Sequence, residues 1–266
     1  MTGETAGSIA SDTAPFGVRA WGDYDNDGFL DLFVTTLGVG GAPQVNYLYH
    51  NNGNGSFTRI LTGSPVGDIG RSVSCAWGDY DNDGFLDLVV ARGGVFDAEN
   101  NSLYHNNGNS NNWLKVRCVG TVSNRSAIGA KVRVKATIAG KTVWQLREIN
   151  PWDALEAHFG LGNATNVDVL RIEWPSGTVQ EFPNVAAKQI LTKLEPPRLG
   201  ARLVNGSPEF AVQSWAGFQY QLEASTNLVT WSPVGMLITT NATGATLIPS
   251  ATPADSNWKF YRAVSH

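Results

Sequence analysis

Eight of the chain's aspartates fall in one decapeptide written twice, Asp-Tyr-Asp-Asn-Asp-Gly-Phe-Leu-Asp-Leu, at 23–32 and 79–88. Asp occupies positions 1, 3, 5 and 9 of each copy, and Gly position 6. Carboxylates packed this densely repel, each pair by up to about 4 kcal/mol at 4–5 Å and an effective dielectric near 20. A cation among the oxygens removes that repulsion. Ca2+ suits best, because it is hard, takes about six to eight oxygens and accepts irregular geometry. Gly at position 6 allows the sharp turn that aims the side chains inward. The expected ligands are Asp23, Asp25, Asp27 and Asp31 with the Phe29 carbonyl, and Asp79, Asp81, Asp83 and Asp87 with the Phe85 carbonyl. Two Ca2+ sites are expected.

The elements that must position these loops are strands. A helix-loop-helix hand needs Glu at position 12, where this chain has Val34 and Val90. Leu-Phe-Val-Thr-Thr and Leu-Val-Val-Ala follow the two loops, β-branched and apolar runs that read as strands. Before the second loop, Val73, Cys75 and Trp77 alternate with Ser72, Ser74 and Ala76, again at strand period. The loop therefore joins two strands and closes at position 9. A metal-free Asp/Asn/Gly turn would explain one such motif, but it explains two complete copies poorly.

At 266 residues, with 42% apolar and 16% charged residues, 29 Gly and nine Trp, the chain reads as globular and loop-rich, with room for two or three domains. The formal net charge of −4 comes from the loops, which hold eight of the 14 Asp. Two Ca2+ would cancel it, and no basic stripe of the kind nucleic acid requires is present. No apolar run is long enough to span a membrane. The first ten residues, Met-Thr-Gly-Glu-Thr-Ala-Gly-Ser-Ile-Ala, lack the basic start and apolar core of a signal peptide. Modest-affinity calcium loops are useful where Ca2+ is millimolar. The expectation is therefore an extracellular or cell-surface location, with this chain part of a longer exported protein. Cys75 and Cys118 are too few for a disulfide framework. They are expected as buried free thiols, with one bridge between them open.

Residues 16–111 form two tandem units after a segment, 1–15, expected to be disordered. Trp-Gly-Asp-Tyr-Asp-Asn-Asp-Gly recurs at an offset of 56, and Leu-Tyr-His-Asn-Asn-Gly-Asn at 48–54 recurs at 103–109. Each unit reads as four short strands, the pattern of a propeller blade. The units resemble the FG-GAP/VCBS repeat, the blade of integrin-α-type propellers, whose calcium loop has the form D-x-D-x-D-G-x-x-D. That resemblance implies an all-β fold with Ca2+ in each loop. Two blades cannot close a ring of about four to eight. The propeller is expected to be incomplete, with an edge strand free to pair with missing blades or another chain.

Residues 112–195 carry Asn112-Trp113-Leu114-Lys115-Val116-Arg117-Cys118-Val119-Gly120, then Ser123-Asn124-Arg125-Ser126-Ala127-Ile128-Gly129-Ala130, His158-Phe159-Gly160-Leu161-Gly162 and Glu173-Trp174-Pro175-Ser176-Gly177. In that order these landmarks resemble the ASPIC/UnbV domain. Ile149 to Ala157 stands where that family carries a Gly/Ser-rich stretch. Lys131–Ile138 and Val167–Trp174 read as strands, with a hairpin turn at 175–177. Residues 196–266 follow Pro196-Pro197, a linker signal. They offer strands at Phe210–Ser214, Phe218–Ala224, Gly235–Thr239, Thr246–Ile248 and Phe260–Val264, the pattern of a small β-sandwich. The run from Tyr220 to Leu228 with Trp231, and Phe260-Tyr261-Arg262, resembles a fibronectin-III-like module.

No catalytic set is evident. His50 and His105 recur at one position of the two repeats, which points to a structural task performed twice. His158 reads as a packed histidine, His266 as a chain end, and no Ser or Cys sits in a nucleophile motif. The expected function is a calcium-binding, non-catalytic extracellular protein of adhesion type, with a protein or glycan ligand. The alternative is an accessory part of a secreted polysaccharide-active or biosynthetic enzyme, for which His158 would need Glu148, Asp153 or Glu156 within hydrogen-bonding reach. Pure scaffolding is a third reading.

Overall fold

The structure, a computed structural model, describes residues 9, 17–37, 40, 42–93, 98–152, 155–204, 207–214, 217–238, 247–249 and 260–265. The segment 1–15 (Ile9 apart), Asp153, Thr239, Thr246 and His266 lie outside the described residues. The fold is all-β, built of several small antiparallel sheets. It contains no closed propeller among the described residues.

The first repeat supplies β1 (Arg19–Gly22), β2 (Asp31–Val34), β3 (Gln44–Val45), β4 (Tyr47–Asn51) and β5 (Phe57–Ile60). Four of these form a sheet in the order β1-β2-β4-β5, as the repeat pattern requires. One helical turn, Ser64–Gly67, follows, and β6 (Ile69–Gly70) pairs with β3. The second repeat supplies β7 (Ser72–Gly78), β8 (Asp87–Arg92) and β9 (Ser102–Tyr104) in that order. Its expected fourth strand, after the Gly-Asn turn, is absent from this sheet. The Asn109 and Asn111 side chains donate to the Asp25 carbonyl at 2.6 and 2.9 Å. The chain then enters a strand of another sheet at Asn112. Both calcium-type loops close at position 9, since Gly22 pairs with Asp31 and Gly78 with Asp87.

The two blades pack face to face. Ala20, Phe33, Leu48 and Ile60 lie opposite one another across β1, β2, β4 and β5, and so share a face. Against it lie Cys75, Trp77, Leu88, Val90 and Tyr104. The Trp77 ring meets Phe33 edge-on at 6.1 Å, and its indole N–H donates to the Ala20 carbonyl at 3.2 Å.

The next region holds β10 (Asn112–Val119), β11 (Lys131–Ile138), β12 (Lys141–Glu148), β13 (Glu156–Gly162), β14 (Asn166–Glu173), β15 (Val179–Ala186) and β16 (Gln189–Leu194). They make two sheets, β13-β10-β16 and β12-β11-β14-β15. The two strands expected here are β11 and β14. Val132, Val134, Ala136 and Ile138 alternate into the interior, the period-2 burial of a half-covered strand. Trp174 donates its N–H to the Thr178 carbonyl across the expected turn, at 2.8 Å.

The last strands are β17 (Arg198–Val204), β18 (Ser207–Gln213), β19 (Gln219–Ser225), β20 (Ser232–Ile238), β21 (Leu247–Pro249) and β22 (Phe260–Ser265). They form sheets β17-β18-β21 and β20-β19-β22 over Phe210, Val212, Tyr220 and Leu222. Strand β17 was not expected from the sequence. It begins directly after the two prolines, which start a strand rather than a linker. Both thiols are free. Burial pushes Cys75 up to about 11 and Cys118 up to about 12.

The chain divides into two compact units, and the division passes through the 112–195 segment. The first comprises Met1–Val116, Val132–Arg171 and Glu181–Leu191, the second Arg117–Lys131, Ile172–Gln180 and Thr192–His266. Within the second, Glu195 is 1% exposed. Its Oε2 accepts the N–H groups of Thr121, Val122 and Ser123 at 2.7–3.0 Å, and its Oε1 accepts the Ser123 hydroxyl. Burial raises its pKa, but hydrogen bonds from Ser176, Ser123 and Val122 outweigh that and hold it below the usual carboxylate range. Its stabilisation is therefore present above the unfolded-state pKa and lost as pH falls through the lower folded value. Glu195→Gln is expected to cost about 2 kcal/mol, measured by urea unfolding at pH 7. An unchanged midpoint would remove Glu195 from this role.

Candidate metal centres

Each loop is shaped by its own carboxylates before any ion is considered. Asp23 accepts the N–H of Asp27 on Oδ1 at 3.0 Å and that of Gly28 on Oδ2 at 2.9 Å. Asp27 accepts the N–H of Phe29 at 2.8 Å. Asp31 accepts Tyr24 N–H at 3.2 Å and Asn51 N–H at 2.8 Å. The second loop repeats this bond for bond. Asp79 accepts Asp83 and Gly84, Asp83 accepts Phe85, and Asp87 accepts Tyr80 and Asn106, at 2.8–3.1 Å. Asn26 and Asn82 sit at φ 59° and 62°, Gly28 and Gly84 at 99° and 92°. Two positive-φ residues within three bend the chain around the first aspartate of each loop.

The carboxylates converge. Asp23, Asp25 and Asp27 bring ligand atoms within 4.8 Å of one another, and so do Asp25, Asp31 and His50. The second loop does the same with Asp79, Asp81 and Asp83, and with Asp81, Asp87 and His105. Asp23 is 1% exposed and Asp31 fully buried. Burial, then the Asp27 and Asp25 charges, push Asp23 up to about 7. Burial, with Asp25, Asp23 and Asp27, pushes Asp31 up to about 9. Carboxylates pressed together away from water are the donor set that a divalent cation relieves. The residues fit such an ion.

All eight expected aspartates thus lie at the two clusters. Phe29 and Phe85 are in place through their N–H groups, and their rings rest on Gly53 and Gly108. A Cβ at either glycine would stand 2.6 or 2.8 Å from the ring. The recurring Leu-Tyr-His-Asn-Asn-Gly-Asn segment is therefore part of the site. Its histidine faces the carboxylates: His50 Nδ1 lies 3.2 Å from Asp25 and 3.3 Å from Asp31, His105 Nδ1 3.1 Å from Asp87 and 3.6 Å from Asp81. The sequence flagged the paired histidines by their equal spacing. What it could not give was their target.

Sequence reasoning also missed what the loops rest on. His158-Phe159-Gly160-Leu161-Gly162, in β13, is a seat for them within the first unit. Gly162 N–H donates to the Asn26 carbonyl at 2.7 Å, while His158 Nε2 lies 3.1 Å from the Gly84 carbonyl. Asn26 donates to that same carbonyl at 2.9 Å, joining the loops. A Cβ at Gly160 would stand 2.1 Å from Asp23 Oδ2 and 2.5 Å from the Asn26 Cα. Lys115, 3% exposed, reaches Asp79 at 2.9 Å and Glu156 at 3.1 Å. Burial pushes His158 down to about 4, so its ring is neutral at pH 7.

The comparisons with known proteins fall on the same two regions. The FG-GAP-like repeat matches residues 23–90, and ASPIC and UnbV matches 120–198. Mouse cartilage acidic protein 1 is 28% identical over 214 residues, 75% of this chain and 31% of the relative. The human protein is 29% identical over 186 residues, 65% and 27% of the two chains. The chain spans less than a third of the length of these curated relatives. A solved Ca2+-stabilized adhesin of an Antarctic bacterium aligns at 10% identity over 96% of this chain and 74% of its own, with a TM-score of 0.17. A tetra-tandem repeat from the extending region of a large adhesion protein aligns at 12% over 90% and 67%, TM-score 0.18. Scores so low do not relate the folds. The fibronectin-III-like reading of the last two sheets rests on the sequence's strand pattern and aromatic anchors. By its sequence matches and its paired loops, the chain carries an FG-GAP-like repeat region followed by an ASPIC and UnbV domain.

Proposed function

We propose that the chain is a calcium-binding, non-catalytic interaction module of an extracellular or cell-surface protein, with one Ca2+ in each loop. The observation that carries this reading is the bond-for-bond duplication of the two loops, with Asp23 and Asp31 buried against their neighbours' charge. When bound, the ion supplies positive charge and coordination, which hold the loop closed. The four aspartates of each loop and the Phe29 or Phe85 carbonyl are its proposed ligands. No described helix is long and apolar enough to cross a membrane. The enzymatic alternative finds less support. His158 Nε2 faces the Gly84 carbonyl and Glu156 pairs with Lys115.

A ligand of protein or glycan class would sit in a cleft of about 540 Å3 beside the second loop. It is lined by Tyr24, Trp77, Tyr104, His105, Asn106 and Asn107 among others, aromatic and amide groups of the sort that hold a sugar ring or a short peptide.

Calorimetric titration with Ca2+ tests the metal. Two equivalents are expected for the chain, and one each for Asp31→Asn and Asp87→Asn. No heat, with no displacement of a fluorescent calcium indicator, would end this reading.

A further inference from the structure

The two loops match bond for bond within themselves and differ in what reaches them from outside. At the second loop the buried Lys115 ammonium lies 2.9 Å from Asp79 Oδ2 and 3.2 Å from Asn82 Oδ1, and Glu156 of β13 holds it at 3.1 Å. Trp113 stands two residues earlier in β10 and so shares that face of the strand. It closes over Gly84, where a Cβ would stand 1.7 Å from the indole. The first loop receives no such ion. Among the described residues no lysine or arginine pairs with the matching Asp23. Arg147 acts on it only through space, its guanidinium donating to the Leu146 carbonyl at 2.9 Å. The matching Asn26 Oδ1 is buried with no hydrogen-bond partner among the described residues. Asp81 and Asp83 are exposed, whereas Asp25 and Asp27 are half-buried. His50 and His105 face their loops alike and do not distinguish them.

Resting on the calcium reading above, we propose that Lys115 substitutes for the ion at the second loop. Its charge relieves Asp79 when Ca2+ is withdrawn, so this loop stays closed and the calcium dependence of the fold resides in the first. A buried ammonium against a carboxylate makes a charge-assisted hydrogen bond in surroundings of low dielectric. The crowded carboxylates of the first loop depend on the metal for the same relief. Lys115 is thus a positioning residue for the second site, and Ca2+ acts as a switch on one loop while β10 and β13 keep the other formed.

Hydrogen exchange of the full chain, followed by mass spectrometry in ~1 mM Ca2+ and in EDTA, tests this. On chelation the amides of Asp27, Gly28 and Phe29 are expected to exchange about tenfold faster or more, and those of Asp83, Gly84 and Phe85 to change by less than about threefold. Lys115→Met should make the second loop respond to EDTA as the first does. Lys115→Arg, which keeps the charge, and Glu156→Gln, which keeps the lysine, should leave it protected. Two loops that loosen equally in the wild-type chain overturn the role of Lys115 and leave the calcium reading standing. A second loop still protected in Lys115→Met overturns it as well. A first loop indifferent to chelation fails the calcium reading, and this proposal with it.

Discussion

EDTA is expected to lower the midpoint of thermal unfolding by roughly 6–11 °C at pH 8, and readdition of Ca2+ to restore it. With a Kd near 10⁻⁴ M, ~1 mM Ca2+ stabilises each site by about 1.4 kcal/mol. Two sites give about 2.8 kcal/mol, and a chain of this size shifts by about 2–4 °C per kcal/mol. The pH dependence carries a sign that separates this from general salt effects. In the chelated protein Asp23 and Asp31 titrate near 7 and 9, against 3.8 when unconstrained. The folded form then binds more protons than the unfolded one between those values. Stability is therefore greatest in acid and is lost as pH rises through 7 and then 9. Protons and Ca2+ compete for the same oxygens, so the gap between the EDTA and Ca2+ curves should widen from pH 5 to pH 9. Calorimetric scans at several pH values measure it. Superimposed curves at pH 8 would show that the loops need no ion.

Gly160→Ala is expected to cost about 3 kcal/mol or more, or to prevent folding. A methyl there would lie 2.1 Å from Asp23 Oδ2 and 2.5 Å from the Asn26 Cα, both fixed in the first loop. Overpacking of this kind typically costs about 1–3 kcal/mol, and more when the obstruction is backbone. Gly177→Ala makes the control. It has φ of 88° but open space around it, so only the left-handed conformation is penalised, by about 1 kcal/mol. If chemical denaturation finds the two variants equally stable, β13 does not seat the loop as described. A milder outcome for Gly160→Ala, folded but with only the second site titrating, would still support the contact.

The duplicated acidic decapeptide was legible in the chain because its chemistry is local. Asp at alternate positions, Gly at position 6 and a β-branched run after position 9 specify a strand-loop-strand turn with converging oxygens wherever it is placed. The four strands of the first blade, the paired histidines and the alternation of Lys131–Ile138 were readable for the same reason. Tertiary structure decided what no local pattern encodes. Pro196-Pro197 reads as a linker, yet β17 starts at Arg198, since proline is compatible with the first residue of a strand. The segment after the second Leu-Tyr-His-Asn-Asn-Gly-Asn does form a strand, β10, but it pairs with β13 and β16 rather than with its own repeat, while the Asn109 and Asn111 side chains bond the carbonyl of Asp25, more than 80 residues earlier. The glycines of His158-Phe159-Gly160-Leu161-Gly162 look like a landmark in sequence. Only in the fold do they become the gap through which a strand backbone touches the first loop, because close approach depends on what lies opposite, and the chain does not write its own neighbours.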